Sequence, residues 1–547
     1  MYTIELNNQV TTHEEKLTLE EISKWTGKKY YVAKVNNRLR ELGYYVNYDC
    51  KIEFLDLTSF EAAKVYETSL RYLIIMALER MYPNIKVHFY QGVSRTMACH
   101  IDGVDLTIDD DFLAQLEKEM RKIIKANYPI VRKKLDKKEA FELYKQKHYY
   151  DKVEVLKYRT ENTVNVYECD GYINYMFGYM VASTGYLDEF KLLPYHPGFV
   201  VQYPRAETGG KIPPFEDSPK FGKMLADALV WSKNCNGETI SKMNKNSEKE
   251  SVVDFVNMCE AKHNDMLAEL GLIIKNNIDD IRLICIAGPS SSGKTTFSHR
   301  WRVELMARGI KPYKISMDDY YLNREAAPLD DYGEPDLEHI EALDIDLFNR
   351  QLLALIQGKE VELPVFDFKQ GKRVKGKKIK VAPHEPIIIE GIHALNEKLT
   401  HLIPKHQKFK IYISPASQIN IDNHNPISST DVRLLRRIVR DAKFRKTSPI
   451  NTFAMWASVR RGEFKWIYPY QEGSDYVFNS ELTYELGVMK KYALPVLEAI
   501  DKNSEYFIAA NRLVKFLKYF KDIDDRHVPS NSLLREFIGD STFYESN

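Results

Sequence analysis

The apolar residues of the second half of the chain fall into short, nearly continuous runs. "IRLICIA", "EPIIIEGIHAL" and "FKIYIS" are three such runs, and "KPYKISM" has a β-like pattern as far as Met317. Strands buried on both faces of a parallel sheet show this pattern, because neither face meets water. Between them, "TTFSHRWRVELMARG" has helical periodicity and ends at Gly309. The pattern predicts an α/β module in which helices flank a parallel sheet.

The first half of the chain has a more mixed pattern. Residues 1–60 alternate short β-like runs with one helical stretch, "LTLEEISKWTG", which predicts a small α/β module. Residues 61–205 combine long amphipathic helices with strands, as in an α+β domain. Within them, residues 110–147 are predicted to form a pair of helices rich in Lys and Glu. The stretch "RKIIKANYPIVRKK", residues 121–134, is interpreted as a basic helix. Acidic residues lie on both sides of it, which favours a solvated surface over a site for nucleic acid.

These changes in pattern predict five segments. The first module covers residues 1–60 and the second covers 61–205. A helical linker with a polar hinge at 234–250 covers 206–278, and the third module covers 279–525. Residues 526–547 are predicted to be a C-terminal tail with a short docking helix.

Composition narrows the class of protein. A chain of 547 residues is too long for one hydrophobic core, so two to four domains are expected. A formal net charge of +1 gives no global attraction to nucleic acid or membrane. The six cysteines form no CxxC pair, which argues against zinc ribbons and favours a reducing cytoplasm. Neither a signal peptide nor an 18-residue apolar run is visible, so a cytoplasmic protein is expected, and a homo-oligomer is left open.

A phosphate-binding loop follows the first buried strand of the third module. The stretch "GPSSSGKT" fits G-x-x-x-x-G-K-[ST], and it lies between a strand and a helix, as such loops do. Its backbone N–H groups are expected to point at a polyphosphate, Lys294 to bridge the β- and γ-phosphates, and the Thr295 hydroxyl to bind Mg²⁺. The predicted ATP-binding residues here are Gly288, Pro289, Ser290, Ser291, Ser292, Gly293, Lys294, Thr295 and Thr296.

Two further strands end in carboxylates. Asp318 follows "KPYKISM", and Glu390 ends "EPIIIE". Ligands of open parallel sheets bind beyond the carboxyl ends of the strands, where both acids would lie. Phosphoryl transfer needs a base for the acceptor hydroxyl and a ligand for the metal. We therefore predict Asp318 as the base, catalytic together with Lys294, and Glu390 as a second Mg²⁺ ligand.

An arginine-rich helix is predicted in "TDVRLLRRIVRDAKFR". Arg433, Arg436, Arg437 and Arg440 share one helical face at 3–4 spacing, and Arg445 follows. Like charges so placed repel one another, which favours phosphates arriving between them. The alternative is a basic surface helix that could bind RNA. The preceding polar loop "SPASQINIDNHNPISST" is predicted to be a mobile lid.

These motifs resemble those of the uridine kinase and phosphoribulokinase family of P-loop kinases. The resemblance rests on "GPSSSGKTTF", "SMDDYY", "DLEHIEALDIDLF", "LPVFDFKQGKR", "IIIEGIHAL" and "DVRLLRRIVRD", which cover residues 280–480 in order. It implies transfer of phosphate from ATP or GTP, with Mg²⁺, to a nucleoside 5′-hydroxyl. It also implies that Arg436 and Arg440 bind ATP, and that the nucleoside contacts Tyr321, Asp336, Phe366, Arg373 and Arg433.

One departure from the family pattern concerns the base pocket. Uridine kinases have a Tyr-Asp-Phe stretch followed by a base-reading histidine. Here Phe366 replaces the tyrosine and Gly371 stands at the histidine position. A pocket without a polar side chain to hydrogen-bond the base discriminates less strongly against other bases. The acceptor is therefore left open between a pyrimidine nucleoside and another small hydroxylated molecule. The adjacent run "KRVKGKKIKV" predicts a β-hairpin with a lysine-rich face.

The first two modules resemble the N-terminal half of threonyl-tRNA synthetases. Residues 1–60 resemble the TGS module and residues 61–205 the editing-type domain, through "MYPNIKVHFYQG" and "ECDGYINYMFGYMVASTGYLDEFKL". Such editing domains use an HxxxH and a CxxxH pair. The corresponding positions here are Thr68, Tyr72, Met176 and Met180. Thioethers are poor zinc ligands and cannot act as general bases, so the domain is expected to lack that metal and that chemistry.

Two functions follow from these observations. The first is an ATP-dependent nucleoside kinase joined to a non-editing module. The second is a tRNA- or RNA-binding regulator that uses ATP as a switch, with the RNA or another regulatory ligand bound to the N-terminal half. Asp318 favours the first, because a switch has no need of a base for an acceptor hydroxyl.

Overall fold

The computed structural model describes residues 1–248, 250–323, 326–329, 333, 336, 338–367 and 371–543. In the first module a small mixed sheet has the strand order β2-β1-β7-β4-β5. The Thr18 hydroxyl accepts a hydrogen bond from the Glu21 amide (3.1 Å) and the Glu21 carboxylate accepts one from the Thr18 amide (2.7 Å), which starts the helix. The elements are β1 (Tyr2–Leu6), β2 (Gln9–His13), β3 (Leu17–Thr18), α1 (Leu19–Lys24), β4 (Val32–Val35), β5 (Arg38–Arg40), β6 (Tyr45–Val46) and β7 (Cys50–Leu55).

The second module packs the long, largely buried first helix against an antiparallel sheet of order β13-β14-β9-β8. A second sheet has the order β10-β11-β12. The elements are α2 (Phe60–Met81), β8 (Lys86–Gln91), β9 (Met97–Asp102), α3 (Asp110–Ala126), β10 (Val131–Asp136), α4 (Lys137–Gln146), α5 (Tyr150–Leu156), β11 (Thr163–Cys169), β12 (Tyr172–Asn174), β13 (Lys191–Tyr195) and β14 (Gly198–Gln202).

The prediction of a basic helix over residues 121–134 is wrong. Helix α3 ends at Ala126, and Asn127 adopts the left-handed conformation (φ 51°) that commonly terminates a helix. Pro129 follows, and residues 131–136 form strand β10, which pairs with β11. The lysines and arginines of this stretch are therefore divided between a helix and a strand, and they do not form one basic stripe.

The segment 206–278 is more than a linker. Its helices are α6 (Pro219–Asn234), α7 (Ile240–Asn246) and α8 (Val252–Asn276). Buried residues of all but α6, such as Met243 and Leu270, belong to the same hydrophobic cluster as the sheet of the third module. Because these helices complete that core, the segment is an integral part of the third module's packing.

The third module is built on a parallel sheet of order β16-β19-β15-β20-β23. The elements are β15 (Leu283–Ala287), α9 (Lys294–Ala307), β16 (Tyr313–Ser316), α10 (Ile345–Ile356), β17 (Val361–Asp367), β18 (Lys372–Ile379), β19 (Ile387–Glu390), β20 (Lys408–Ser414), β21 (Asn420–Asp422), β22 (Asn425–Pro426), α11 (Ser429–Phe444), α12 (Pro449–Trp466), α13 (Tyr468–Gln471), β23 (Tyr476–Asn479), α14 (Glu485–Glu498), α15 (Phe507–Leu517) and α16 (Arg535–Ile538).

The central strand of this sheet is β15, and both of its faces are buried. Leu283 and Cys285 pack into the core on one side, while Ile284 and Ile286 pack into the core on the other. This confirms the predicted α/β module with a parallel sheet. The phosphate loop follows β15, Asp318 follows β16 and Glu390 is the last residue of β19, so all of them lie at the carboxyl ends of the strands, at the same edge of the sheet. Strands β17 and β18 form the predicted hairpin.

Residues 415–428 of the loop predicted to be a mobile lid are instead packed against the second module. The buried side chains of Asp422 and Lys152 form an ion pair (2.8 Å), each with 1% of its side chain exposed. The Phe89 amide donates to the Asn423 carbonyl (2.9 Å), and the Phe177 amide donates to the Asn425 side-chain oxygen (2.8 Å). The polar residues that suggested a solvated loop are the ones that satisfy backbone groups across this interface.

The C-terminal tail is also part of the core. Leu533, Leu534 and Phe537 are fully or almost fully buried in the hydrophobic cluster that contains β15. In the described part of the chain, no helix combines the length and the apolar character required to cross a bilayer.

Candidate functional site

The phosphate loop has the curled backbone that its sequence predicts. Gly293 has φ +87°, and a Cβ there would also overlap the side chain of Leu533. A Cβ on Gly288 would overlap the Ile413 carbonyl oxygen of the neighbouring strand. The Lys294 ammonium donates to the carbonyls of Gly288 (2.8 Å) and Pro289 (3.2 Å), so it is folded back onto the loop. Burial lowers the pKa of Lys294, and the charges of Glu390, Glu536 and Asp318 oppose that shift.

Glu390 and Thr295 form an oxygen pair beside the loop. The Thr295 hydroxyl donates to one carboxylate oxygen of Glu390 (2.7 Å), and the Lys314 ammonium is 2.8 Å from the other. Burial acts to raise the pKa of Glu390, but the charge of Lys314 and the hydrogen bonds from Lys314 and Thr295 hold it below its ordinary value. The carboxylate is thus ionised at neutral pH, as a metal ligand must be.

The donor set fits Mg²⁺. This ion is typically held by one or two protein oxygens together with phosphates and waters. The Thr295 hydroxyl and the Glu390 carboxylate are hard oxygen donors next to the loop. Among the described residues no three His, Cys, Asp or Glu side chains converge as a ready-made metal cage.

Asp318 lies where strand β16 passes into a 3₁₀ turn (Met317–Tyr320), whose first turn is capped by the Ser316 hydroxyl. Asp318 is exposed to solvent. Partial loss of hydration against the surrounding protein, followed by the negative charge of Glu390, raises the pKa of Asp318 to about 6, while Lys294 and Arg445 act to lower it. A carboxylate with such a pKa is ionised at pH 7 yet more basic than an ordinary aspartate, which suits a general base.

Four of the predicted substrate residues are linked to one another near Asp318. The rings of Tyr321 and Phe366 meet edge to face with centroids 5.8 Å apart. Phe366 pairs with Arg373 in the hairpin, and Arg373 binds Asp344 (2.9 Å). The charges of Asp318 and Asp336 both act on the pKa of Tyr321, which burial raises well above its usual value. Gly371 lies in the hairpin turn; residues 334, 335 and 337 of "GEPDLE" and 368–370 of "FDFKQGKR" are outside the described residues.

The arginines of α11 differ from the expected stripe of free cations. Arg433 donates to the Ser290 carbonyl (3.0 Å) and forms a buried ion pair with Glu463. Arg436 is 0% exposed; it pairs with Glu485 (2.5 Å), and its guanidinium also lies 3.4 Å from the Ser291 carbonyl. Both guanidinium groups are therefore neutralised by carboxylates from helices later in the chain. Both also contact backbone carbonyls of the phosphate loop and so help to hold its conformation.

The remaining arginines of this helix surround one acid. Arg437 binds the Ser290 hydroxyl (2.9 Å) and lies 3.3 Å from Asp441. Arg440 also pairs with Asp441 (2.9 Å), and the more exposed Arg445 is 3.7 Å from it. Arg437, Arg440 and Arg445 share a single carboxylate, so this end of α11 keeps an excess of positive charge.

Two carboxylates at the site were missed by the sequence analysis. Burial, followed by the charge of Glu463, raises the pKa of Glu338 to about 7, and Lys294 and Arg437 act on it in the opposite direction. Glu536 of the tail accepts a hydrogen bond from the Thr296 amide (3.1 Å) at the start of α9. Sequence could not find Glu536, because 240 residues separate it from Thr296.

The side chains at the editing-type positions of the second module are engaged in hydrogen bonds or packing within the fold. The Thr68 hydroxyl donates to the Lys64 carbonyl (2.9 Å), and the Tyr72 hydroxyl lies within hydrogen-bond distance of the Tyr167 and Tyr172 carbonyls (3.1 and 2.8 Å). Met176 and Met180 are buried in the hydrophobic cluster.

Part of the chain matches the sequence model of a known protein family. Residues 283–485 match the sequence model of the Phosphoribulokinase / Uridine kinase family. The C-terminal part of the chain therefore carries a domain of that kinase family, and the predicted resemblance of the N-terminal region to threonine–tRNA ligases is confirmed as well.

The N-terminal region is similar to threonine–tRNA ligases. The ligase of Thermotoga maritima is 30% identical over 184 residues, which are 33% of this chain and 28% of the ligase. That of Streptococcus pyogenes is 30% identical over 189 residues, 35% of this chain and 28% of the ligase. The match thus spans little more than a quarter of the length of these relatives.

Among solved structures, the chain is similar to D-glycerate 3-kinase from Cryptococcus neoformans (12% identity, TM-score 0.29, covering 38% of this chain and 89% of that one). It is also similar to a "Possible Uridine Kinase" from Bacillus stearothermophilus (17% identity, TM-score 0.24, covering 38% of this chain and 99% of that one).

Proposed function

We propose that the third module transfers the γ-phosphate of ATP or GTP, with Mg²⁺, to the 5′-hydroxyl of a nucleoside or to the hydroxyl of another small acceptor of similar shape. The observation that carries this proposal is the convergence of Asp318, Lys294 and Glu390 at one edge of the sheet. Glu390 and Lys294 both act on the pKa of Asp318, and both carboxylates act on the pKa of Lys294, so the three groups share one site. A nucleotide-binding switch has no use for a carboxylate with the raised pKa of Asp318.

In the proposed reaction, Asp318 accepts the proton of the acceptor hydroxyl as its oxygen forms a bond to the γ-phosphorus. The bond between that phosphorus and the β,γ-bridging oxygen breaks, and the nucleoside diphosphate leaves. Lys294 exchanges the Gly288 and Pro289 carbonyls for phosphate oxygens, whose charge it balances. Thr295 and Glu390 would hold Mg²⁺, which neutralises charge on the phosphates when it is bound.

The acceptor is proposed to occupy the space next to Tyr321, Asp336, Phe366 and Arg373. The edge-to-face rings of Tyr321 and Phe366 offer an apolar wall, and Arg373 is held by Asp344. Since Gly371 brings no side chain to the hairpin turn, discrimination between bases is expected to be weak.

The first two modules, residues 1–60 and 61–205, are proposed to be a TGS-like domain and an editing-like domain without editing chemistry. Thr68, Tyr72, Met176 and Met180 support this, because none of them is the Cys or His that the editing pairs use. We propose that this half acts by binding, with RNA or a small regulatory ligand as the partner.

The first experiment offers the purified protein Mg-ATP together with a panel of nucleosides and sugar alcohols, and follows release of ADP. Stimulation by an acceptor is expected, and the ranking of acceptors would identify the substrate class. An ATPase rate that no acceptor changes, combined with tight and salt-sensitive binding of tRNA, would favour the regulator instead.

The pH dependence of kcat/KM is expected to show an acid limb near pH 6. Asp318 acts as a base only when deprotonated, and its pKa is raised to about 6, so activity should fall as the pH drops through that value. Initial rates between pH 5 and 8 measure this limb. The buried Glu338, with a pKa of about 7, is the other candidate, and Glu338→Gln should keep the limb if Asp318 is responsible. Loss of the limb in Glu338→Gln would assign it to Glu338.

Glu536 is expected to compete with the phosphates of ATP. Its carboxylate accepts from the Thr296 amide at the start of α9, where helix N–H groups favour a bound anion. Glu536→Gln removes that negative charge while keeping the shape, and the Kd for ATP should fall several-fold. Glu505→Gln, an exposed carboxylate of the same module, is the matched control. Weaker ATP binding in Glu536→Gln would mean that the carboxylate supports the nucleotide site.

A further inference from the structure

A deep cleft lies where the first, second and third modules meet. Its volume is about 710 Å³, which is enough for a mononucleotide-sized ligand. The first module contributes Arg38 and Arg40, and the second contributes α2 and strands β10 and β11. The third module contributes the end of segment 415–428, the start of α11 and helix α15. This cleft is separate from the phosphate loop and from the groups around Asp318.

The charge of the cleft is strongly positive, although the whole chain is nearly neutral. Nine lysine and arginine side chains line it against four carboxylates. At least three of these carboxylates already have cationic partners: Asp431 binds Arg512 through both oxygens, Glu161 is near Arg159 (3.6 Å), and Glu67 is near Lys64 (3.9 Å). Among the residues that the structure describes, no carboxylate lies within ion-pair distance of Arg38, Arg40, Arg71, Arg132, Lys134 or Lys515.

Among these cations, Arg71 gives the strongest indication of a bound anion. Its side chain is almost completely buried, with 5% of the residue exposed. One end donates to the His424 carbonyl (2.5 Å) and to the Thr68 hydroxyl (3.2 Å), but in the described structure its Nε atom has no hydrogen-bond partner. Burial lowers the pKa of this guanidinium. The charges of Glu67 and Asp422 offset part of the cost of burying this cation from beyond ion-pair distance, and an anion in the cleft would offset more of it.

Aromatic side chains stand beside the cations. Tyr175, Phe177, Tyr179, Phe507 and Phe516 all line the cleft, and Arg132 lies over the ring of Tyr179 (5.3 Å). Aromatic faces bind planar rings by stacking, while arginine and lysine bind phosphate. This combination fits a ligand that has both a doubly charged phosphate and a planar ring.

The cleft is connected to the phosphate loop by one helix. Ser428 and Asp431 line the cleft at the start of α11, and Arg433 and Arg437 of the same helix bind Ser290 in the loop. Arg71 holds the adjoining segment through the His424 carbonyl. A ligand in the cleft would therefore touch the element that braces the nucleotide site.

We propose that this cleft binds a small, free organic phosphate with a planar ring, of the mononucleotide class, as a second ligand distinct from the one at the phosphate loop. The partner recognised here is a diffusible molecule with a terminal phosphate. Binding at the cleft does not depend on the proposed kinase reaction.

Calorimetric titration of the full-length protein with AMP tests this site. The protein is first saturated with Mg²⁺ and the nonhydrolysable analogue AMP-PNP, so that the phosphate loop is filled. Saturable AMP binding is expected, with a Kd that rises with KCl concentration. Arg71→Met should weaken it by at least about tenfold, because charge-assisted hydrogen bonds to phosphate are lost.

The controls separate a ligand site from a structural role. Arg71→Met also removes the hydrogen bonds to the His424 carbonyl and the Thr68 hydroxyl, so a second variant that leaves these bonds in place is needed. A double variant on two walls of the cleft, Arg38→Gln with Lys515→Gln, should also weaken AMP binding, while the exposed Lys359→Gln should not. The proposal is overturned if AMP does not bind at millimolar concentration, if both cleft variants bind it normally, or if a short single-stranded RNA binds the cleft and AMP does not.

Discussion

Asp318→Asn is expected to lower the acceptor-stimulated release of ADP by about 10²–10⁴-fold, the range that general-base catalysis supplies. Asparagine keeps the size of the side chain but cannot accept the hydroxyl proton. The Kd for ATP should change little, because Asp318 serves the acceptor and not the phosphate loop. The pH limb near 6 should disappear from whatever activity remains.

Asp346→Asn is the matched control for this variant. Asp346 is an exposed carboxylate in the first turn of α10, in the same module. Its substitution should leave turnover and ATP binding unchanged. If Asp318→Asn retained wild-type turnover with the best acceptor, Asp318 would not be the base.

Lys294→Ala is expected to reduce kcat by roughly 10²–10³-fold, as the loss of one preorganised charged donor to a reacting group typically does. It should also weaken ATP binding, since Lys294 is the loop's own cation. The protein should nevertheless remain as stable as the wild type without nucleotide. Burial lowers the pKa of this lysine, so its charged form gains little from folding.

Thermal melting with and without Mg-ATP distinguishes these effects. The wild type should gain stability on binding ATP, and Lys294→Ala should lose most of that gain while keeping its melting temperature in buffer alone. Lys311→Ala, an exposed lysine between α9 and β16, should behave as the wild type. A large fall in the melting temperature of Lys294→Ala without ATP would assign the lysine a structural role.

The parts of the site that the sequence predicted are those set by local rules. A buried strand, a glycine-rich turn and a helix are contiguous, so residues 283–307 specify the phosphate loop by themselves. Asp318 and Glu390 follow directly from the strands that carry them, because the carboxyl ends of parallel strands meet at one edge.

The parts that the sequence analysis missed depend on partners far along the chain. Spacing alone showed that the arginines of α11 share a face, but their partners Glu463 and Glu485 lie 30 and 49 residues away. A signal was available in the apolar residues interleaved with them, such as Leu435 and Ile438, because a helix that is apolar between its charges is buried on several sides.

Segment 415–428 shows the same limitation. Its asparagines and serines are typical of a solvated loop, yet Asn420 and Asn425 bind the backbone of the second module. The isoleucines at 419, 421 and 427 were the signal that the segment is packed. Asn127 and Pro129 were the corresponding signal for the end of α3. The run of basic residues on both sides of them suggested one continuous helix instead.

The most direct test of the kinase assignment follows the γ-phosphorus itself. The protein is incubated with Mg²⁺, ATP labelled with ³²P in the γ position, and the acceptor that most stimulates ADP release. The account predicts that the label appears on the acceptor in an amount equal to the ADP formed, and that Asp318→Asn transfers almost none. Label recovered only as inorganic phosphate, whatever acceptor is present, would contradict it.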